Sequence, residues 1–315
     1  MTKQNLFDCH TRIKPFVHNT AILTSRLIDR EVNSSIFFKC ENFQRAGAYK
    51  MRGATNAILQ LSEEQKKCGV VTHSSGNFAQ ALSLAAQSVG VAAHIVMPDT
   101  APEVKKVGVR EYGGKIYECK PTVDARQALA DEIALKTGAT FVHPSNDNNV
   151  ILGQGTAAME LLYEQPDLDF ILCPVGGGGL IAGSALAAKY FSNNCKVYGA
   201  EPFEADDAYR SLQSGKIESN ETTNTIADGL KTVLGDKNFP IIKELVSGII
   251  RVTEDEIVAA MKLVWERMKI IIEPSSAVTV AAVLKQSKLQ PEIFQNKKIG
   301  IIISGGNVDL SKLPF

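Results

Sequence analysis

The chain has 315 residues, with 34 Lys and Arg balanced by 34 Asp and Glu, 44% hydrophobic and 22% charged, the composition of an ordinary globular protein. A formal net charge of zero lacks the clustered basic excess that meets nucleic acid or an anionic membrane, so a small molecule is the expected partner. The length exceeds one comfortable core and predicts two domains of unequal size.

From the N-terminus, Met1 to Arg12 is polar rather than signal-like, and no stretch approaches the roughly 18 uninterrupted apolar residues of a membrane helix. A cytoplasmic protein is expected. Val- and Ile-rich runs then alternate with segments of helical period, the pattern of parallel strands joined by crossover helices. Strands are predicted at 36–40, 69–73, 92–97, 115–119, 140–143, 170–175, 196–200, 248–252 and 299–303. Helices are predicted at 78–89, 124–136, 154–164 and 180–190. A further helix starts at Thr253, with Glu256 completing a capping box and Ile257, Met261, Val264, Trp265 and Met268 on one apolar stripe. Strands apolar on both faces are buried on both faces, which indicates open α/β sheets covered by helices. Six scattered cysteines without a CxxC pair read as reduced packing residues, and five dispersed histidines offer no zinc spacing.

In such sheets ligands sit beyond the carboxyl ends of strands. Those positions carry His73-Ser-Ser-Gly-Asn77, Val175-Gly-Gly-Gly-Gly179, Ala200-Glu-Pro202 and Ser304-Gly-Gly-Asn307. Gly176 to Gly179, between an apolar strand and a helix, point to a phosphate cradle of bare N–H groups at a helix N-terminus. Tight strand–helix packing would also use glycines there. The same turn contains Gly177-x-Gly179-x-x-Ala182, with Glu201 about 20 residues on, so a dinucleotide-binding dehydrogenase is a rival reading. Lys50, in a small-residue turn ahead of an apolar helix, is a candidate imine-forming amine, since burial makes a lysine neutral and nucleophilic. Solvation is the commoner fate of a lysine. The Ser-Ser-Gly-Asn corner likewise suits a helix cap. Together, a phosphate cradle, an amine, an Asn at a strand end and a hydroxyl at another match the needs of pyridoxal 5′-phosphate.

Almost end to end, the chain resembles the fold type II pyridoxal-phosphate enzymes, in the group of serine racemase, threonine/serine dehydratase and threo-3-hydroxyaspartate dehydratase. The likeness runs through Phe37-Phe-Lys-Cys-Glu-Asn-Phe-Gln44, Ala48-Tyr-Lys-Met-Arg-Gly53, Thr72-His-Ser-Ser-Gly-Asn77, Pro174-Val-Gly-Gly-Gly-Gly179, Thr225-Ile-Ala-Asp-Gly229, Trp265-Glu-Arg-Met-Lys269, Ile272-Glu-Pro-Ser275 and Ile303-Ser-Gly-Gly-Asn-Val-Asp-Leu310. The resemblance implies two open twisted parallel-sheet domains, similar to the tryptophan synthase β chain, with the cofactor in the cleft between them. Residues 1–60 and 147–315 would form the large domain and 61–146 a small mobile one.

By the same resemblance, Lys50 would be joined to the cofactor's aldehyde, Phe43 would lie near the ring face and Asn77 would meet the 3-oxygen. Gly176, Gly177, Gly178 and Gly179 would hold the phosphate, and Ser304 would meet the ring nitrogen. Ser75 would be the second acid/base, opposite Lys50. Ser74 and Arg126 would face the substrate carboxylate, and Ser145, where the group usually has Asn, would border the substrate. Glu201, the Ala205 carbonyl and Asp207 would form an all-oxygen site for Mg²⁺, Ca²⁺ or Mn²⁺. Gln80, Tyr112, Lys269 and Asn307 match the ATP-effector site of mammalian serine racemase, whereas Arg26 replaces a small hydroxyl residue and Phe78 replaces the usual His after the Asn. Nothing after Leu310 corresponds to the regulatory domain of biosynthetic threonine dehydratases, so isoleucine feedback is not expected. The implied activity is β-elimination of L-serine, L-threonine or threo-3-hydroxyaspartate to a 2-oxo acid and ammonia, with serine racemisation at the same site, by a homodimer. A chain that is primarily a racemase, and a catalytically silent ligand-binding relative, are the alternatives.

Overall fold

A computed structural model describes all 315 residues. Ten strands form two separate sheets: β1 (Ile22–Leu23), β2 (Ser35–Cys40), β3 (Val70–His73), β4 (Ala93–Pro98), β5 (Lys115–Cys119), β6 (Thr140–Phe141), β7 (Phe170–Pro174), β8 (Lys196–Pro202), β9 (Val246–Val252) and β10 (Lys298–Ile303). The larger sheet has the order β1-β2-β10-β7-β8-β9 and the smaller β5-β4-β3-β6. Every pairing is parallel except β1 with β2, an antiparallel edge too short to leave an alternating pattern in the sequence.

The pleat explains why these strands read as continuous apolar runs. In β10, Ile299, Ile301 and Ile303 join the core under helices Glu254–Met268 and Pro274–Leu289, while Ile302 faces the opposite core with helices Lys3–Ile13, Asn148–Glu164 and Gly179–Phe191. Phe170 and Leu172 of β7 point to the first core, Ile171 and Cys173 to the second. The smaller sheet repeats the scheme: Val70, Ile95 and Met97 pack against helices Lys50–Leu59 and Asn77–Gln87, and Val71 and Val96 against helix Val123–Thr137. Side chains alternating across a strand put apolar groups on both faces.

Local signals place the helix starts. Thr253 accepts from the Glu256 N–H while Glu256 reaches back, as its spacing predicts. Asp147 accepts from the Asn149 and Val150 N–H groups, so that helix begins six residues before the predicted 154. Lys50 is not in a turn ahead of its helix but is the helix's first residue. Cys9, Cys40 and Cys173 are buried as expected, whereas Cys68 is exposed. No helix is long and apolar enough to cross a membrane.

Parallel neighbours align their carboxyl ends. Thus β10 and β7 deliver Ser304 and the tetraglycine turn side by side, and β3 ends at the Ser74–Asn77 corner of the other sheet.

Candidate active site

Lys50 is placed by pairing of its own segment with the end of β10. The Tyr49 N–H donates to the Ser304 carbonyl at 3.0 Å, Ala48 bridges Gly305, and the Gly306 N–H donates to the Gly47 carbonyl at 3.0 Å. Gly47 makes the entry turn at φ 70°, close enough to Asn307 that an added Cβ would lie 2.3 Å from its Oδ1. Two residues on, the Arg52 guanidinium is fully buried, pairs with Glu41 at 2.7 Å and with Glu160 at 2.7 Å, and so ties this helix to the large domain. Lys39 completes the buried cluster against Glu160 at 2.8 Å.

The Lys50 Nζ donates to the Pro144 carbonyl at 2.8 Å and lies 5.0 Å from the Tyr49 ring and 5.7 Å from the Phe78 ring. Burial pulls its pKa down to about 7, with Glu273 opposing the shift. It is therefore an amine that is substantially neutral at neutral pH. The expected ring-face residue, Phe43, is not there: it sits 47% exposed on the turn Glu41–Phe43. The aromatic surfaces beside the amine belong to Tyr49 and Phe78.

The tetraglycine turn opens helix Gly179–Phe191 and admits no side chain. A Cβ at Gly176 would lie 2.9 Å from the Gly229 carbonyl oxygen, one at Gly177 would lie 2.3 Å from the Ser145 Oγ, and Gly178 is left-handed at φ 80°. The buried Asn238 braces the turn, donating to the Gly177 carbonyl at 2.8 Å and the Ser145 carbonyl at 3.2 Å. Ser145 thus backs the glycine turn. Asn238 was invisible in the sequence reading, since it lies 61 residues from Gly177 and no motif surrounds it.

From the smaller sheet, Asn77 begins helix Asn77–Gln87. Its Nδ2 donates to both Glu273 oxygens at 2.9 and 3.0 Å, and its Oδ1 accepts from the Asn307 Nδ2 at 3.0 Å. Glu273 is a buried carboxyl pushed up to about 7 by burial and then by Asp228. The Ile272-Glu-Pro-Ser275 motif had marked the place without revealing the role. Lys105 of the smaller domain pairs with Asp228 of the larger across the same cleft.

Ser304 is buried, with its Oγ 2.9 Å from the Ser276 Oγ. Ser75 is half-buried at the β3 corner, and the Ser74 Oγ accepts from the Gly76 N–H at 3.4 Å. Arg126 is half-exposed; its Nε donates to the Thr122 carbonyl of its own helix at 3.3 Å, and its charge depresses the His73 pKa behind burial and a counteracting Gln127 contact.

A separate polar pocket lies past β8. Glu201 is fully buried, accepts from the Ala208 and Tyr209 N–H groups, and is driven well above the carboxylate range by burial and then by Asp207. Asp207, raised by burial to about 6, accepts from Asn220 and the Leu234 N–H. Ala205 lies buried between them in the chain. Glu201 is occupied here, at the N-terminus of helix Asp207–Ser214, and not at a ribose.

Two parallel-sheet domains with a near-neutral lysine, a glycine cradle and a buried hydroxyl between them define a pyridoxal-phosphate enzyme of fold type II. The chain belongs to that family: the model of the pyridoxal-phosphate dependent enzymes matches residues 13–305. It is 50% identical to a serine racemase of Dictyostelium discoideum, with 99% of this chain and 97% of that protein covered. It is 46% identical to a beta-hydroxyaspartate dehydratase of Paracoccus denitrificans, covering 100% and 98%. Among solved structures, maize serine racemase superposes with a TM-score of 0.96 at 45% identity, covering 98% of this chain and 94% of that one. The dinucleotide reading of Gly177-x-Gly179-x-x-Ala182 is set aside by this membership.

Proposed function

We propose that the chain eliminates water from a hydroxy amino acid, L-serine, L-threonine or L-threo-3-hydroxyaspartate, releasing a 2-oxo acid and ammonia, and that the same site racemises serine. The observation that carries this reading is the Lys50 amine, held near neutrality by burial and donating to the Pro144 carbonyl, one residue from the Ser145 that backs the glycine turn. The residues fit pyridoxal phosphate. A turn into which no Cβ can be built suits an anionic tail, Lys50 suits an aldehyde, and Asn77 and Ser304 suit the ring's 3-oxygen and nitrogen. Bound there, the cofactor supplies an electron sink for the substrate's Cα–H bond.

This chain's residues do the rest. Glu273 and Asn307 fix the Asn77 amide. The Lys50 amine, once free, takes the Cα proton of the L-substrate; the β-hydroxyl leaves as water, and hydrolysis of the dehydrated amino acid gives the 2-oxo acid and ammonia. Ser75 serves as acid/base on the opposite face, which racemisation requires. Ser74 receives the substrate carboxylate. Ser304, a hydroxyl, cannot compensate a protonated ring as a carboxylate would, which favours elimination over prolonged carbanion chemistry. Closure of the smaller domain, 61–146 in this reading, over the cleft keeps water out, and the Lys105–Asp228 contact spans that closure.

Glu201, the Ala205 carbonyl and Asp207 fit a hard divalent cation, Mg²⁺ foremost: two buried acids, each held above its ordinary range, lack the charge that would ionise them together. A cation there would order the loop after β8. A cytoplasmic homodimer responsive to ATP through Gln80, Tyr112, Lys269 and Asn307 completes the proposal. Relatives named for serine racemisation and for hydroxyaspartate dehydration support both activities in one site.

The test is to incubate holoenzyme with each hydroxy amino acid and follow 2-oxo acid release together with the chirality of residual substrate. Ser75→Ala is expected to suppress racemisation and D-substrate elimination more than L-substrate elimination. Equal loss of both contradicts the two-face assignment.

A further inference from the structure

Asn238 stands at the N-terminus of helix Phe239–Leu245, where an asparagine ordinarily accepts from its own helix's first N–H groups, yet its side chain makes no such bond. It is fully buried, and both of its amide hydrogens and its oxygen are engaged elsewhere. The Nδ2 donates to the Gly177 carbonyl at 2.8 Å and to the Ser145 carbonyl at 3.2 Å, while the Oδ1 accepts from the Gly235 N–H at 3.1 Å. Carbonyls only accept and an N–H only donates, so the amide has one orientation.

The bond to Gly177 decides which way the cradle faces. The Gly177–Gly178 peptide is trans, and a trans peptide points its C=O and its N–H to opposite sides. With the carbonyl turned back to Asn238, the Gly178 N–H is turned away from it, and that N–H has no partner within the protein. The Ser145–Asn146 peptide obeys the same rule: its carbonyl faces Asn238 and its N–H donates to the His143 Nδ1 at 2.8 Å. Glycines on both sides tolerate either orientation of the Gly177–Gly178 peptide, so the turn's own sequence does not choose between presenting an N–H and presenting a carbonyl. A carbonyl there would set its negative end against an anion.

We propose that Asn238 is a positioning residue for the cofactor's phosphate: by holding the Gly177 carbonyl it commits the Gly178 N–H to the cradle. This rests on the placement of the phosphate at the glycine turn. The fit leaves no slack, since a Cβ on Gly178 would lie 2.7 Å from the Asn238 Oδ1 and 2.6 Å from the Leu234 Cδ2. Asn238 does not follow a flipping peptide, because Ser145 and Gly235 hold its other groups. Without the amide, the buried Gly177 carbonyl loses its donor and the peptide regains its second orientation.

The experiment is phosphorus NMR of the holoenzyme, beside the dissociation constants of pyridoxal phosphate and of pyridoxal, which lacks the phosphate. Asn238→Ala is expected to move the phosphorus signal and to weaken pyridoxal phosphate about ten- to a hundredfold, the size of one hydrogen bond to a charged group, with pyridoxal binding unchanged. Should that variant fail to fold, Asn238→Leu, of similar volume and without a donor, is expected to give the same pair of results. An unmoved phosphorus signal, or equal weakening of both ligands, overturns the proposal, because a merely structural role weakens both alike. If the wild-type enzyme binds pyridoxal phosphate no more tightly than pyridoxal, the phosphate is not at the turn and the reading of the cradle itself fails.

Discussion

At the scale of single residues, the site depends on what burial does to two ionisable groups. Removing charge from water costs more than nearby dipoles return, so Lys50 falls and Glu273 rises until both titrate near 7. For Lys50 the sign is simple. Below about pH 7 the amine is an ammonium with no lone pair; above it, a nucleophile. Capture of pyridoxal phosphate by the apoenzyme, followed by absorbance in stopped flow, is therefore expected to accelerate as pH rises through about 7 and then level off. A midpoint near the ordinary lysine value of about 10.4 would mean that the amine is solvated.

The same residue shows what the sequence made legible. Asn77, Ser304 and the four glycines could be picked out because each follows a strand end in a distinctive local motif, and strand ends are where parallel sheets bind; Lys50 stood out instead as a lysine in a small-residue motif ahead of an apolar helix. The ring beside the amine was not legible: Phe43 lies in the same motif region, and only the Ala48–Gly305 bridge shows that the adjacent Tyr49 ring is the one 5.0 Å from the Lys50 Nζ. Glu273 and Asn238 gave little signal, because their partners lie 196 and 61 residues away.

At the scale of elements, the helix Lys50–Leu59 is the one whose placement matters most. Its outer face packs with the smaller sheet through Met51, Ala54 and Ile58, although the sequence boundary at residue 60 assigned the helix to the large domain. Its anchor to the large domain joins close backbone packing at Gly53 and Gly153 with a buried ionic cluster: Arg52 between Glu41 and Glu160, with Lys39 alongside and Thr20 donating to Glu41 at 2.6 Å. Charges this deep are tolerated only because each is paired, and removing one partner leaves the others exposed to the full desolvation penalty. Arg52→Ala is expected to destabilise the fold by about 3–5 kcal/mol, measured by denaturant titration of the apoenzyme. A loss under about 1 kcal/mol, the range of surface pairs, would show that the cluster is hydrated. None of this was legible beforehand, since Arg52 reads as one more polar residue in a polar motif and its acidic partners arrive from β2's end and a distant helix. The early start of helix Asn148–Glu164 is set by the Asp147 cap, and Gly153 and Gly155 within it let the helix approach the Arg52 and Gly183 backbone, whose oxygens lie 2.5–2.6 Å from where a Cβ would stand.

At the scale of the whole molecule, the two sheets meet at one cleft whose mouth is spanned by polar contacts, Asn77 with Glu273 and Asn307 and Lys105 with Asp228, while Met51 and Val150 share a buried apolar core with Val70 and Leu82 behind them. Polar contacts of this kind can be made and broken without exposing a core, which suits a domain that opens and shuts. The acidic pocket after β8 adds a pH signature. Without a cation, the raised Asp207 pKa means that the unfolded chain ionises first, so the group's contribution to stability declines as pH rises from the ordinary carboxylate range through about 6. A bound divalent cation reverses this by favouring the ionised form. Adding Mg²⁺ to the holoenzyme is therefore expected to raise Tm more at pH 8 than at pH 5, and Glu201→Gln to remove the difference; a Tm indifferent to Mg²⁺ at both pH values contradicts the cation site.

All of these expectations converge on one covalent bond. Reducing the holoenzyme with borohydride and mapping its peptides by mass spectrometry is expected to find a phosphopyridoxyl group on the lysine at position 50 and on no other residue. A peptide carrying Lys50 unmodified, or the group on a different lysine, would contradict the account.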